Sequence, residues 1–275
     1  MKFLKNTILR LFSRKEIQEI NRNLSKITVD QIINSPKYQN KKNLLRHGYK
    51  VFSQQDEDGI IEEIFKRIGN GKKKFIEMGL ETGIECNTTN LLLNDWSGLW
   101  IEASSKNVDI IKKNFSKYLE KNLKVHCEKI NIQNVNQILK KYNNSDADID
   151  LLSIDIGVHT FHVLDAISII NPRVIVTEYN AKYGPTLNWT VDYSDRAEWD
   201  NSDYFGGSLY AFVSMLDKKN YALVGCNVTG VNAFFVRKDQ LKEKFEENTS
   251  SEFHFIEGRY WLKRAFDKNY KIRIK

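Results

Sequence analysis

From residue 56 onward, apolar and polar positions alternate between two periods. The segment Asp56–Arg67 (DEDGIIEEIFKR) sets apolar residues at helical spacing behind acidic residues in its first turn, where carboxylates suit the helix dipole. A short apolar run, KFIEMG, reads as a strand ending in a glycine turn. The exchange then repeats: Leu91–Trp96 helical, GLWIEAS extended, Asn107–Phe115 helical, LKVHCEKI extended, Val135–Tyr142 helical. DIDLLSIDIG, nearly continuous in apolar residues, is what a strand buried on both faces requires. Thr160–Ile170 predicts a helix stopped by Pro172, and RVIVTEYNA a fifth strand. An irregular stretch, 181–206, precedes a helix over Gly207–Lys218. Such repetition implies a parallel sheet with right-handed crossovers.

The end of the pattern differs. YALVGCN and NAFFVRK are separated only by Val228, Thr229, Gly230 and Val231. A parallel crossover needs about a dozen residues, so these strands must form an antiparallel hairpin. The expected fold is therefore α/β: a doubly wound, mostly parallel seven-stranded sheet ending in an antiparallel hairpin, the class I methyltransferase (Rossmann-like) arrangement. A dinucleotide-binding domain would continue with parallel strands. Residues 1–50 read as a helical and irregular extension, 51–240 as the core with the insertion 181–206 over its acceptor side, and 241–275 as a C-terminal extension. Phe3, Leu4, Ile8, Leu11 and Phe12 fall on one helical face among Lys and Arg. That face suits packing on the core, a second subunit in a homo-oligomer, or peripheral contact with an anionic membrane. Residues 26–55 read as an irregular connection.

Composition narrows the partners. Hydrophobic residues make up 41% of the 275, enough for a sizeable core. The net charge of +7 admits nucleic acid, anionic lipid or phosphorylated small molecules. No Arg-rich stripe or aromatic–basic repeat accompanies it, so nucleic acid is not expected. Cys86, Cys127 and Cys226 form no CxxC pair and suggest neither a disulfide framework nor a zinc site. No apolar run approaches the roughly 20 residues of a membrane span, and no cleavage signal follows the N-terminus. A cytoplasmic location is expected.

The strand ends carry the candidate chemistry. In Glu77-Met78-Gly79-Leu80-Glu81-Thr82-Gly83, an acidic residue is followed by glycines that let a nucleoside cofactor approach the backbone. Glu102 ends the second strand, where a carboxylate can accept ribose hydroxyls. Asn131, after the third, suits adenine recognition or a plain loop.

At these residues the chain resembles the FkbM-like methyltransferases. The resemblance spans roughly residues 50–240 and rests on SQQDEDGIIEEIF, FIEMGLETGIECNTTNLLL, GLWIEAS, DLLSIDI, VTEYNAKYGP and VGCNVTGVNAFFVRK, in that order. It implies an S-adenosylmethionine (SAM)-dependent enzyme that methylates hydroxyls of sugars, polyketides or surface glycans. By that likeness Glu77, Gly79 and Gly83 line the cofactor, Glu102 holds its ribose, and Gln55 and Asp58 form the rim. Two positions depart from the family pattern: Glu81 stands where a small residue is common, and Gly157 where a second carboxylate is common.

Methyl transfer to a hydroxyl needs in-line approach and proton removal. His159, just past the fourth strand, is the candidate base, with Asp155 beside it; His162 lies one turn further on. Asp155, Glu178 and Asn180, at the ends of adjacent strands, could hold Mg²⁺ near the acceptor, or Asp155 could face the cofactor amine. Tyr179, Tyr183, Trp189 and Tyr204, with Tyr193, Trp199 and Asp203, would face a carbohydrate acceptor or form a buried aromatic cluster. Two further readings are a non-catalytic methyltransferase-like binding protein, motivated by Glu81 and Gly157, and an NAD-dependent oxidoreductase.

Overall fold

The structure is a computed structural model, and it describes residues 14–143, 148–195 and 199–267. The chain opens with helix α1 (Arg14–Ile33) and two short 3-10 turns, Pro36–Tyr38 and Leu44–His47. It continues through α2 (Glu57–Ile68), β1 (Lys74–Met78), α3 (Thr89–Leu93), β2 (Ser97–Glu102), α4 (Ser105–Asn114), α5 (Ser116–Leu119) and β3 (Leu123–Cys127). Then follow α6 (Val135–Tyr142), β4 (Leu151–Ile154), α7 (Thr160–Ala166), β5 (Val174–Glu178), α8 (Leu209–Lys218), β6 (Tyr221–Cys226), β7 (Asn232–Arg237) and α9 (Ser251–His254).

The seven strands form one sheet in the order β3-β2-β1-β4-β5-β7-β6. All pairs from β3 to β5 are parallel, and β7 runs antiparallel to both β5 and β6. This is the seven-stranded α/β sheet with a terminal hairpin that the loop lengths require. Alternate side chains supply opposite faces, as the pleat dictates. Ile76, Met78, Leu152 and Ile154 pack with Leu139 of α6, Leu164 of α7 and Phe212 of α8. Phe75, Trp100 and Leu151 pack on the other face with Ile61 of α2, Leu92 of α3 and Ile111 of α4. Val29, Leu45, Ile256 and Leu262 belong to the first of these clusters, so segments on both sides of the sheet region share its core.

Local boundaries follow the physics of helix ends. The Ser104 hydroxyl accepts from Asn107 N–H and starts α4, and Ser208 accepts from Ala211 N–H and starts α8. The helix expected over Thr160–Ile170 stops at Ala166, because its last carbonyls find tertiary donors. Asn136 Nδ2 donates to Ala166 O, and Lys219 Nζ donates to Asp165 O and Ile167 O. Residues 26–33, expected as part of a connection, continue α1 instead, with Ser25 and Val29 buried on its inner side. The expected apolar face formed by Phe3, Leu4, Ile8, Leu11 and Phe12 lies outside the described residues. Among the described residues, no helix is long and apolar enough to cross a membrane.

Candidate active site

The topology fixes where a site can form. Connections from β1 lead outward through β2 and β3, and then back to β4 on the other side of β1. The crevice above that switch point is the natural ligand position in such a sheet. A cavity of about 740 Å³ lies there, over the C-terminal ends of β1 to β5. That is ample for a nucleoside-sized ligand, since small-molecule sites run about 300–1,000 Å³.

At one end, Glu77, Gly79, Glu102 and Asn131 border this cavity. Gly79 has φ +74, and a Cβ there would stand 1.8 Å from Asp155 O, so glycine alone lets the tips of β1 and β4 meet. Glu102 Oε2 accepts from the N–H groups of Leu80 (3.2 Å) and Glu81 (3.0 Å), and Oε1 from Ser104 N–H (2.9 Å). The carboxylate therefore holds the turn after β1 while facing the cavity. Oε1 also accepts from Asn107 Nδ2 at 3.4 Å, the longest of the four contacts and the one a ligand hydroxyl could replace. Asn131 spends its Oδ1 on Gln133 and Asn134 N–H groups.

Glu77 has a different occupation. Its carboxylate accepts from Asn87 N–H, Thr88 N–H, the Thr88 hydroxyl and the Ser153 hydroxyl. Its four acceptor positions are thus engaged, and it shapes the loop beside the cavity instead of offering free oxygens to a ligand. Burial pushes its pKa up, partly opposed by these hydrogen bonds.

Three residues expected at the cofactor lie elsewhere. The N–H groups of Val51, Phe52 and Ser53 all donate to Asp58 Oδ2, so Asp58 folds the preceding loop from a buried position. Gln55 is buried, and its Oε1 accepts from Asn227 Nδ2. Its neighbour Gln54 borders the cavity. Gly83 sits against Trp100 and Phe115, where it serves packing.

The other end of the cavity lies at the tips of β4 and β5. Asp155 and Glu178 stand side by side within hydrogen-bonding reach. Water reaches Asp155 through the cavity, yet protein surrounds the pair. Burial and then repulsion from Asp155 drive Glu178 well above the ordinary carboxyl range, and desolvation by the surrounding protein raises Asp155 too. His159 borders the same space. Neither ring nitrogen completes a hydrogen bond, although the Ser194 backbone lies nearby, and burial holds its pKa below the usual histidine value. A neutral imidazole with a free lone pair is what a general base requires. His162 Nε2 instead donates to Val191 O at 2.6 Å.

The metal expectation fails on its third ligand. Asn180 is fully buried, and its Nδ2 donates to Asp203 O and Phe205 O while its Oδ1 accepts from Lys182 N–H. Two carboxylates remain, and no group of three His, Cys, Asp or Glu side chains able to hold a metal ion occurs among the described residues. The aromatic expectations also shift. Tyr179 is buried in the core and donates to Ile256 O, and Tyr183 stacks on Trp189 at 3.8 Å. Tyr204 donates to Asp192 from the exposed surface. None of these four borders the cavity; Tyr193, Trp199 and Phe205 of the insertion do.

Phe205 and Asn232 had drawn no attention in the sequence. Asn232 stands opposite Glu178 in the β5–β7 register, a position that follows from the hairpin turn once the pairing is known. Its amide donates to Glu57 Oε1 (2.9 Å), and Asn227 donates to the same oxygen (2.9 Å). Asp56 Oδ2 accepts from Val228 N–H. The buried Asp56–Glu57 pair thus fastens the hairpin turn that forms one wall of the site.

No family model matches the sequence, and no curated protein matches it. Solved structures resemble it at low identity. The N-terminal domain of EvdMO1 with SAH bound is 12% identical, with 82% of this chain and 95% of that chain covered and a TM-score of 0.44. A proposed caffeoyl-CoA O-methyltransferase from Staphylococcus aureus is 14% identical, covering 79% and 99%, with a TM-score of 0.48. An S-adenosylmethionine-dependent methyltransferase from Clostridium acetobutylicum is 13% identical, covering 66% and 89%, with a TM-score of 0.39.

Proposed function

We propose that this protein is a SAM-dependent O-methyltransferase acting on a hydroxyl of a sugar or sugar-containing metabolite. The observation that carries this reading is one cavity bordered by Gly79, Glu102 and Asn131 and also by His159, whose ring nitrogens have no hydrogen-bond partner. SAM, when bound, supplies an electrophilic methyl group on a sulfonium. Glu102 would accept a ribose hydroxyl, and the Gly79 turn would admit the cofactor to the backbone. His159 would take the acceptor's hydroxyl proton, and SAM would supply the methyl group and leave as SAH. Tyr193, Trp199 and Phe205 offer apolar faces to the CH surface of a sugar. Titration calorimetry with SAM, SAH and NAD tests the cofactor side, and methyl transfer to glycan precursors tests the acceptor side. Binding of NAD with no binding of SAH would overturn the reading.

A further inference from the structure

The protein carries a net charge of +7, yet its cavity has the opposite sign. Eight carboxylate residues border it against one lysine, Lys129, among the described residues. Part of this acidity is spent within the protein: Glu85 pairs with Lys50 at 2.9 Å, Glu77 is saturated by the loop after β1, and Glu128 accepts from Tyr142. Lys129 follows β3, on the cofactor side. At the tips of β4 and β5 the lining holds Asp155, Glu178 and Asp195, with no lysine or arginine among the described residues. The same end carries Tyr193, Trp199 and Phe205, and aromatic faces attract cations through the ring quadrupole.

Carboxylates and aromatic rings around one pocket suit a cation with apolar flanks. They disfavour a phosphate or a carboxylate, which would meet like charge in a weakly screened space. We propose that the acceptor carries a protonated amine, as on an amino sugar, seated between the Asp155–Glu178 pair and the wall of Tyr193 and Trp199. The amine is the anchor, because an ammonium has no lone pair with which to attack a methyl group; a neighbouring hydroxyl receives the methyl. This inference rests on the methyltransferase reading and adds the charge of its substrate.

The experiment uses the full chain saturated with SAH and compares glucosamine, N-acetylglucosamine and glucose 6-phosphate by ligand-observed NMR and calorimetry. SAH binding is measured first and tests the methyltransferase reading separately. Glucosamine should bind at least tenfold more tightly than N-acetylglucosamine, which keeps the ring but loses the charge, and the phosphate should not bind. The Asp155→Asn/Glu178→Gln double variant, which preserves shape and removes both carboxylates, should remove that preference while SAH affinity reports that the cavity is still formed. Equal or tighter binding of the acetylated or phosphorylated sugar would overturn the proposal, as would failure of glucosamine to bind the SAH-loaded protein or an undiminished preference in the double variant.

Discussion

Replacing Asp56 by Asn should stabilise the protein progressively as the solution becomes alkaline. Asp56 is 1% exposed; its Oδ2 accepts from Val228 N–H at 3.1 Å, and its Oδ1 has no partner. Burial, reinforced by repulsion from the adjacent Glu57, pushes its pKa from 3.8 up to about 8. The folded state therefore keeps a proton that the unfolded chain releases. Stability from this proton is complete below the unfolded value near pH 4 and is lost as pH rises through the folded value near 8. Each pH unit inside that window costs about 1.4 kcal/mol, so the rise from pH 5 to pH 8 removes on the order of 4 kcal/mol.

Asn keeps an acceptor for Val228 N–H and cannot ionise, so the variant lacks this slope. The measurement is urea denaturation of both proteins at pH 5, 6.5, 8 and 9, with stability read from the midpoint and slope. The gap in favour of Asp56→Asn should widen steadily to pH 8 and more slowly above it. Asp58 and Glu77, also raised by burial, remain in both proteins and create no gap of their own. Glu57, freed from repulsion by Asp56, widens the gap in the same direction at high pH. A constant difference across the series would refute the reasoning, because it would mean that Asp56 exchanges no proton on unfolding. SAH affinity should follow the same trend near the unfolding limit, since the Asp56–Val228 bond fastens the turn preceding Asn232 in the cavity wall.

Gly79→Ala should cost at least about 1–2 kcal/mol from its left-handed backbone alone, and more from the Cβ placed 1.8 Å from Asp155 O; denaturant midpoints check it. Glu102→Ala should weaken SAH by about 1–3 kcal/mol and also lower the thermal midpoint, because it releases the Leu80, Glu81 and Ser104 N–H groups. Unchanged SAH affinity in the folded variant would remove the ribose role. His159→Ala should reduce methyl transfer about 10²–10⁴-fold with little change in SAH binding. The wild-type acid limb should lie below pH 6.5, because burial lowers the imidazole pKa and keeps it a free base at neutral pH. Methyl transfer should survive EDTA, given that the Asn180 amide is committed to Asp203, Phe205 and Lys182; loss of activity restored by Mg²⁺ would reinstate a metal.

The strands were legible because burial on both faces leaves a continuous apolar signature, and the hairpin because four intervening residues cannot span a parallel crossover. Those two facts also placed Glu102, Asp155 and Glu178 near one another, since parallel strands share one C-terminal edge. Features decided by long-range hydrogen bonds were not legible. The charged run Asp56-Glu57-Asp58 looks like a solvated first turn, and nothing local shows that all three side chains are buried. Asp58 is spent on three backbone N–H groups, and Glu57 on two asparagines about 170 residues away. The aromatic insertion poses the same difficulty in sharper form. Whether Tyr183 or Tyr193 lines the cavity depends on how the loop is pinned, and Asn180 pins it through carbonyls at Asp203 and Phe205. That anchoring leaves Tyr183 to stack on Trp189 and turns Tyr193 toward His159, at 4.9 Å between rings. A polar residue whose strand-end position suggests a metal ligand thus pins the loop that forms one wall of the cavity. The property that made it conspicuous at a strand end, an amide able to donate and accept at once, is the one the loop uses.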